Sequence, residues 1–234
     1  VLRMSLNKLV CLQKRLHTLD VYKSHLLRYM SPAYWQQANR ELAACDAVMQ
    51  RLIRHFEGAS LISRGCAFTT LARSIVGQQI SVKAAESVWQ KVIKTIPDMT
   101  PQAIVSADQD ALRTCGLSIR KVTYLQDLSR HFMEGMLNEN TWTDMDDEVI
   151  IDQLTKVKGI GRWTSEMFLI FHLQRPDVLP LDDIGLQRAI SQHYNDCQPV
   201  DKKTMIEIAK PWQPWRSVAT WYLWRSLDPL PVEY

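Results

Sequence analysis

Leu154-Thr155-Lys156-Val157-Lys158-Gly159-Ile160-Gly161-Arg162-Trp163-Thr164 sets two glycines one residue apart between stretches of helical apolar spacing, and Leu179-Pro180-Leu181-Asp182-Asp183 follows about one helix later. Glycine permits positive φ and, having no side chain, lets the backbone approach a ligand closely. The stretch reads as a tight turn between two helices. The N–H groups and dipole of the second helix, opening at Arg162 to Thr164, face one point. Lys156, Lys158 and Arg162 surround that point, and no acid lies between Leu154 and Ser165. Such a point suits one or two phosphates of a nucleic-acid backbone and carries no base information. Taken alone, the two glycines also fit an αα turn that binds nothing. A P-loop is excluded, because no strand precedes the glycines and no Gly-Lys-Ser or Gly-Lys-Thr follows them.

Outward from this turn the chain reads as helix after helix. Ser31-Pro32 suits an N-cap with proline at the first helical position, opening a short helix through Tyr34 and Trp35. Leu42, Ala43, Val48, Met49, Leu52, Ile53 and Phe56 fall at helical spacing before Gly58. Thr69 to Val76 forms another helix, interrupted by Gly77-Gln78-Gln79-Ile80-Ser81, and Ser81 can cap the helix through Ala84, Val88, Trp89 and Val92. A short helix ending near Gly116 and a longer one capped by Ser118 come next. Helices over Asp144 to Leu154, Arg162 to Leu173, Asp183 to His193, Asp201 to Ala209 and Trp215 to Leu227 complete the pattern. β-Branched alternation is nearly absent. The expectation is an all-α, two-lobed body over residues 31–234, with a helix-hairpin-helix at 150–173.

Composition limits the partners without choosing one. The chain has 234 residues, 46% hydrophobic and 23% charged, with a net charge of +3, which permits a nucleic-acid partner but does not demand one. Five cysteines lie far apart, none at zinc or iron–sulfur spacing, which suits free thiols in a reducing compartment. No apolar run reaches the roughly 20 residues of a membrane span, so no membrane partner is expected. Residues 1–30 carry Leu9, Leu12, Leu16 and Leu19 on one helical face, and Lys8, Lys14, Arg15, Lys23 and Arg28 against one acid, Asp20. They read as a basic helical arm packed on the body, with a targeting peptide or a start at Met30 as the other readings.

The hairpin Leu154 to Thr164, the stretch Pro180 to Leu186, the Gly77 to Ser81 turn and the late Lys210-Pro211-Trp212-Gln213-Pro214-Trp215-Arg216-Ser217 segment together resemble the helix-hairpin-helix superfamily of base-excision DNA glycosylases. Within it, the likeness is to the 3-methyladenine DNA glycosylase II group and covers roughly residues 40–227. The resemblance implies a monomeric enzyme, placed in the cytoplasm (on the nucleoid in a bacterium). It would hydrolyse the N-glycosidic bond of alkylated purines in double-stranded DNA and needs no cofactor. A non-catalytic helix-hairpin-helix DNA-binding factor, or a glycosylase for another lesion, remains open.

Site roles follow from the same resemblance. Asp183 is implied as the catalytic carboxylate, stabilising a sugar of oxocarbenium character. Asp182 is read as the cap of the following helix or as local support. Gly159, Ile160, Gly161, Arg162, Lys156, Lys158 and Thr164 would hold the DNA backbone. Gln79, on the Gly77 to Ser81 turn, would enter the base stack as a wedge, unless it only closes that turn. Trp163, Trp215 and Trp221, with Tyr34, Trp35 and Phe68, are candidates for an aromatic base pocket. A core role is at least as good a reading for Trp221 and Trp224. Lyase-active relatives carry a lysine where this chain has Trp163, so strand cleavage through a Schiff base is not expected. Four clustered cysteines are lacking, so no iron–sulfur cluster is expected. Family hairpins can hold Na+ or K+ through backbone carbonyls, which here would be those of Thr155, Val157 and Ile160.

Overall fold

The computed structural model describes residues 31–63 and 66–227; the arm read at residues 1–30 lies outside them. Every regular element among the described residues is helical. The α-helices are α1 Trp35–Cys45, α2 Ala47–His55, α3 Ala67–Gly77, α4 Val82–Thr95, α5 Pro101–Ser106, α6 Gln109–Thr114, α7 Ile119–Met133, α8 Asp147–Leu154, α9 Arg162–Phe171, α10 Ile184–Tyr194, α11 Lys202–Ala209 and α12 Arg216–Leu227, with 3-10 turns at Glu139–Thr141 and Lys210–Trp212.

Two lobes form because sequence-distant helices share apolar faces. In the central lobe α3 packs on α4 and α7, α5 and α6 pack on α7, and α9 packs on α8 and α3. In the terminal lobe α12 packs on α1, α2 and α10, and α10 packs on α11. The chain thus leaves the terminal lobe after α2, builds the central lobe, and returns at α10. A run of edge-on rings, Phe68–Phe132–Trp142–Phe168, fills the central lobe at centroid spacings of 5.4, 6.4 and 5.4 Å.

The helix starts follow capping chemistry. Ser81 and Ser118 accept from Ala84 and Lys121 N–H as their positions predict, and Asp201 accepts from Thr204 N–H. Three starts differ. Helix α1 begins at Trp35 with no side-chain cap, so Ser31-Pro32 does not open it. The apolar run from Leu42 to Phe56 is two helices, because Asp46 turns extended (φ −145°, ψ 118°) and caps α2 through Val48 and Met49 N–H. Its other oxygen accepts Tyr194 Oη at 2.9 Å and Trp212 Nε1 at 2.8 Å, tying α2 to α10 and the Lys210–Trp212 turn. The segment before Gly116 is likewise split, into α5 capped by Thr100 and α6 capped by Asp108.

Candidate active site

Helix α10 begins where the chain re-enters the terminal lobe, and its cap is Asp183. Oδ1 accepts Leu186 N–H at 2.6 Å and Trp224 Nε1 at 2.7 Å, while Oδ2 accepts Trp163 Nε1 at 2.9 Å. Trp163 comes from α9 in the central lobe and Trp224 from α12 in the terminal lobe, so one carboxylate is held by an indole from each. Asp183 is 7% exposed. An ionised carboxylate is acceptor-only, and three fixed donors define its position and orientation. The cap assigned to Asp182 therefore belongs to Asp183; Asp182 points outward and pairs with Lys202 on α11.

The aromatic surroundings correct the pocket expectation. Trp163 keeps an exposed face. Phe171, at the end of α9, stacks on Trp224 at 5.6 Å and 12°. Trp35, Phe68 and Trp221 are buried instead. Trp35 and Trp221 meet edge-on at 5.2 Å inside the terminal lobe. Tyr34 and Trp215 stack on each other at 5.5 Å, with Trp215 Nε1 donating to Glu41 and Tyr34 Oη to the Gln174 carbonyl. Trp224 and Phe171 are the site aromatics that sequence reasoning did not select. Apolar periodicity could not separate Trp224 from its core neighbour Trp221, three residues earlier on the same helix.

The hairpin is tighter than its sequence shows. Gly159 has φ 84°, and a Cβ there would lie 2.2 Å from the Tyr124 ring. Gly161 is extended (φ −102°, ψ 176°) with open space around it, so its φ does not require glycine. The Gly159 and Gly161 N–H groups take no partner among the described residues. The N–H groups of Arg162 to Thr164 precede the first intrahelical bond, Ser165 to the Gly161 carbonyl.

Of the other members of the predicted grip, Ile160 and Thr164 are buried, whereas the Lys158 and Arg162 side chains are exposed. The Ile160 N–H bonds the Val157 carbonyl, and the Thr164 side chain is buried. The Lys158 N–H donates to buried Asp127 at 2.9 Å, with the Lys158 ammonium 3.9 Å from the same carboxylate. Arg162 is paired with acids while its side chain stays half exposed. Its guanidinium makes a two-point bond to Glu148 (2.5 and 2.9 Å) and a third to Glu166 at 3.0 Å, so it braces the hairpin. These bonds raise its pKa further, while burial pushes the Glu166 carboxyl up and Arg162 pulls it back. The acids were hidden because both lie outside the Leu154 to Ser165 window. Lys156 stays exposed, as does Gln79, which sits at φ 58° on its turn.

Among the described residues no group of three or more His, Cys, Asp or Glu side chains is arranged to hold a metal ion. None of the helices among them is long and apolar enough to cross a membrane.

The architecture has counterparts of known identity. Residues 72–214 match the family model described as "HhH-GPD superfamily base excision DNA repair protein". The chain is 31% identical over 188 residues to the Bacillus subtilis protein YfjP, covering 77% of this chain and 66% of that one. The solved DNA-3-methyladenine glycosidase of Bacillus halodurans superposes with a TM-score of 0.77 at 32% identity, over 86% of this chain and 93% of that one. The Schizosaccharomyces pombe 3-methyladenine DNA glycosylase, solved in complex with abasic DNA, gives 0.71 at 28% identity, over 85% and 99%. The chain belongs to the HhH-GPD superfamily of base excision DNA repair proteins.

Proposed function

We propose that the chain is a monofunctional DNA glycosylase that removes alkylated purines, 3-methyladenine and its relatives, from double-stranded DNA. The Asp183 geometry carries this reading: a buried carboxylate fixed by three donors at the junction of the lobes, beside an exposed indole. A helix cap alone needs no second carboxylate oxygen turned to an exposed indole, and that second oxygen favours the enzyme over a non-catalytic DNA binder. As the N-glycosidic bond breaks, positive charge develops on the sugar, and a preorganised carboxylate stabilises that charge without reorienting. Water then adds at C1′, leaving free base and an abasic site. Alkylation puts positive charge on the purine, which the electron-rich faces of Trp163, Trp224 and Phe171 attract.

In this reading Gly159 and Gly161 present N–H groups to a backbone phosphate, with Lys156 beside them, and Gln79 fills the gap left by the extruded base. The Thr155, Val157 and Ile160 carbonyls would suit Na+ or K+. Carbonyl oxygens favour such cations, and Val157 keeps one lone pair beyond its bond to Ile160. A cation there would add positive charge to the grip. Four free thiols, Cys45, Cys66, Cys115 and Cys197, fit action on DNA in the reducing cytoplasm.

Products test the reading. A duplex carrying an alkylated purine should give free base and an alkali-labile site, with no strand break before alkali. Borohydride should trap no protein–DNA adduct, since Trp163 offers no amine. Lys121, the half-buried lysine nearest the Gly77 to Ser81 turn, donates to the Val76 carbonyl. Binding without base release would leave a non-catalytic module. A trapped adduct that disappears on replacing Lys121, Lys156 or Lys158 would overturn the monofunctional assignment.

Gly185 tests the pocket geometry. A Cβ there would meet Asp183 Oδ1 at 3.1 Å and Trp224 Cδ1 and Nε1 at 3.2 and 3.3 Å. Gly185→Ala should change the melting temperature little, because the helix propensity gained, at most about 1 kcal/mol, is offset by the crowding of Asp183 and Trp224. Single-turnover base release should nevertheless fall about tenfold, an increase of roughly 1.4 kcal/mol in the barrier. Wild-type release would show that the Trp224–Asp183 contact tolerates displacement.

A further inference from the structure

Three side chains along one face of α7 hold two pieces of chain that the proposed function uses together. Lys121 Nζ donates to the Val76 carbonyl at 2.7 Å, in the last turn of α3 before the Gln79 turn. Tyr124, one helical turn on, lies against Gly159 closely enough to exclude any side chain there. Asp127, a further turn on, accepts the Lys158 N–H at 2.9 Å. Positions 121, 124 and 127 are three apart and therefore share a face. Gln78 closes the ring from the other side, its Nε2 donating 2.7 Å to the Gly159 carbonyl, 81 residues away.

We propose that Gln78, working with the Lys121, Tyr124 and Asp127 row, is a positioning residue that fixes the distance between the backbone grip of the hairpin and the wedge carried by Gln79. This rests on the proposed function. Extruding a paired base requires the wedge to push at one place while the phosphate is held at another. If the two could shift independently, the push would move the protein along the strand. Gln78 is the direct side-chain link between the wedge turn and the hairpin. Its neighbour Gln79 is exposed and left-handed, so a small rotation of the turn swings the wedge through a large arc.

Gln78→Met keeps the length of the side chain and removes the donor, whereas Gln78→Lys restores a donor able to reach the carbonyl. The measurements are affinity for an undamaged duplex, single-turnover release of an alkylated purine that is paired or placed in a single-stranded bulge, and the fluorescence of 2-aminopurine as a flipping probe. Gln78→Met should bind undamaged duplex within about twofold of wild type and release the paired lesion about tenfold more slowly, as expected for one lost hydrogen bond. Release from the bulge should change less than about twofold, because that base needs little extrusion. The 2-aminopurine signal should fall in parallel, and Gln78→Lys should recover most of both losses. Equal losses on paired and bulged lesions, a matching loss of undamaged binding, or no effect at all would overturn the proposal. If wild-type protein releases no alkylated purine, the glycosylase reading fails by itself, and the affinity and 2-aminopurine arms still decide the coupling.

Discussion

Asp183→Asn should bind alkylated duplex with nearly wild-type affinity and release base at least 10²- to 10³-fold more slowly, about 3–4 kcal/mol in the barrier. Asparagine caps helices as well as aspartate, so the Leu186 N–H keeps its partner. What changes is the other side of the group. The amide lacks the charge that faces the developing cation, and its NH2, standing where Oδ2 stood, must confront the indole N–H of Trp163, while Trp224 keeps its acceptor with Leu186. Single-turnover release and duplex titration on the same preparation separate chemistry from binding. Asp182→Asn is the matched comparison: its partner is an exposed lysine, and a surface pair of this kind contributes about 0–1 kcal/mol. Turnover near wild type in Asp183→Asn would remove this residue from the reaction.

Gly159→Ala and Gly161→Ala should part company. At Gly159 an alanine must adopt a left-handed backbone, costing about 1–2 kcal/mol, and push the Tyr124 ring aside, costing a further ~1–3 kcal/mol. For a chain of this size that total corresponds to a fall of roughly 5–15 °C in Tm, with loss of duplex binding. At Gly161 the backbone is extended and no atom lies within 4 Å of the added methyl, so Tm should hold. Duplex affinity should still weaken, equally for damaged and undamaged DNA, because the methyl stands where a phosphate would approach. Calorimetry and a salt-dependent binding series decide it. A stable Gly159→Ala protein would mean that Tyr124 yields easily. Wild-type affinity for Gly161→Ala at every salt concentration would take the hairpin off the DNA backbone.

How much of this was legible depends on how local the governing interaction is. Ser81 and Ser118 act on N–H groups three residues ahead, so sequence alone places them. Asp46 acts locally too, but the apolar period runs through it undisturbed, and periodicity concealed the break it makes. Asp183 is singled out by the family resemblance alone, while the indole donors that fix it come from 20 residues before and 41 after. Arg162 looked like a phosphate ligand because its nearest acids lay outside the local window. Its pairing is decided by how α8 packs on α9. The two hairpin glycines read alike, and only the approach of Tyr124 shows that one is required by the fold and the other is not.

The backbone of Gln79 sets stability against use. A glutamine at φ 58° occupies a region that a glycine would enter freely, so roughly 1–2 kcal/mol is carried by the resting protein at that point. Replacing it with glycine would relax the turn and make the free molecule more robust. It would also delete the exposed amide side chain that the turn carries at its tip. If Gln79 is the wedge proposed above, thermal tolerance and base extrusion therefore pull this residue in opposite directions.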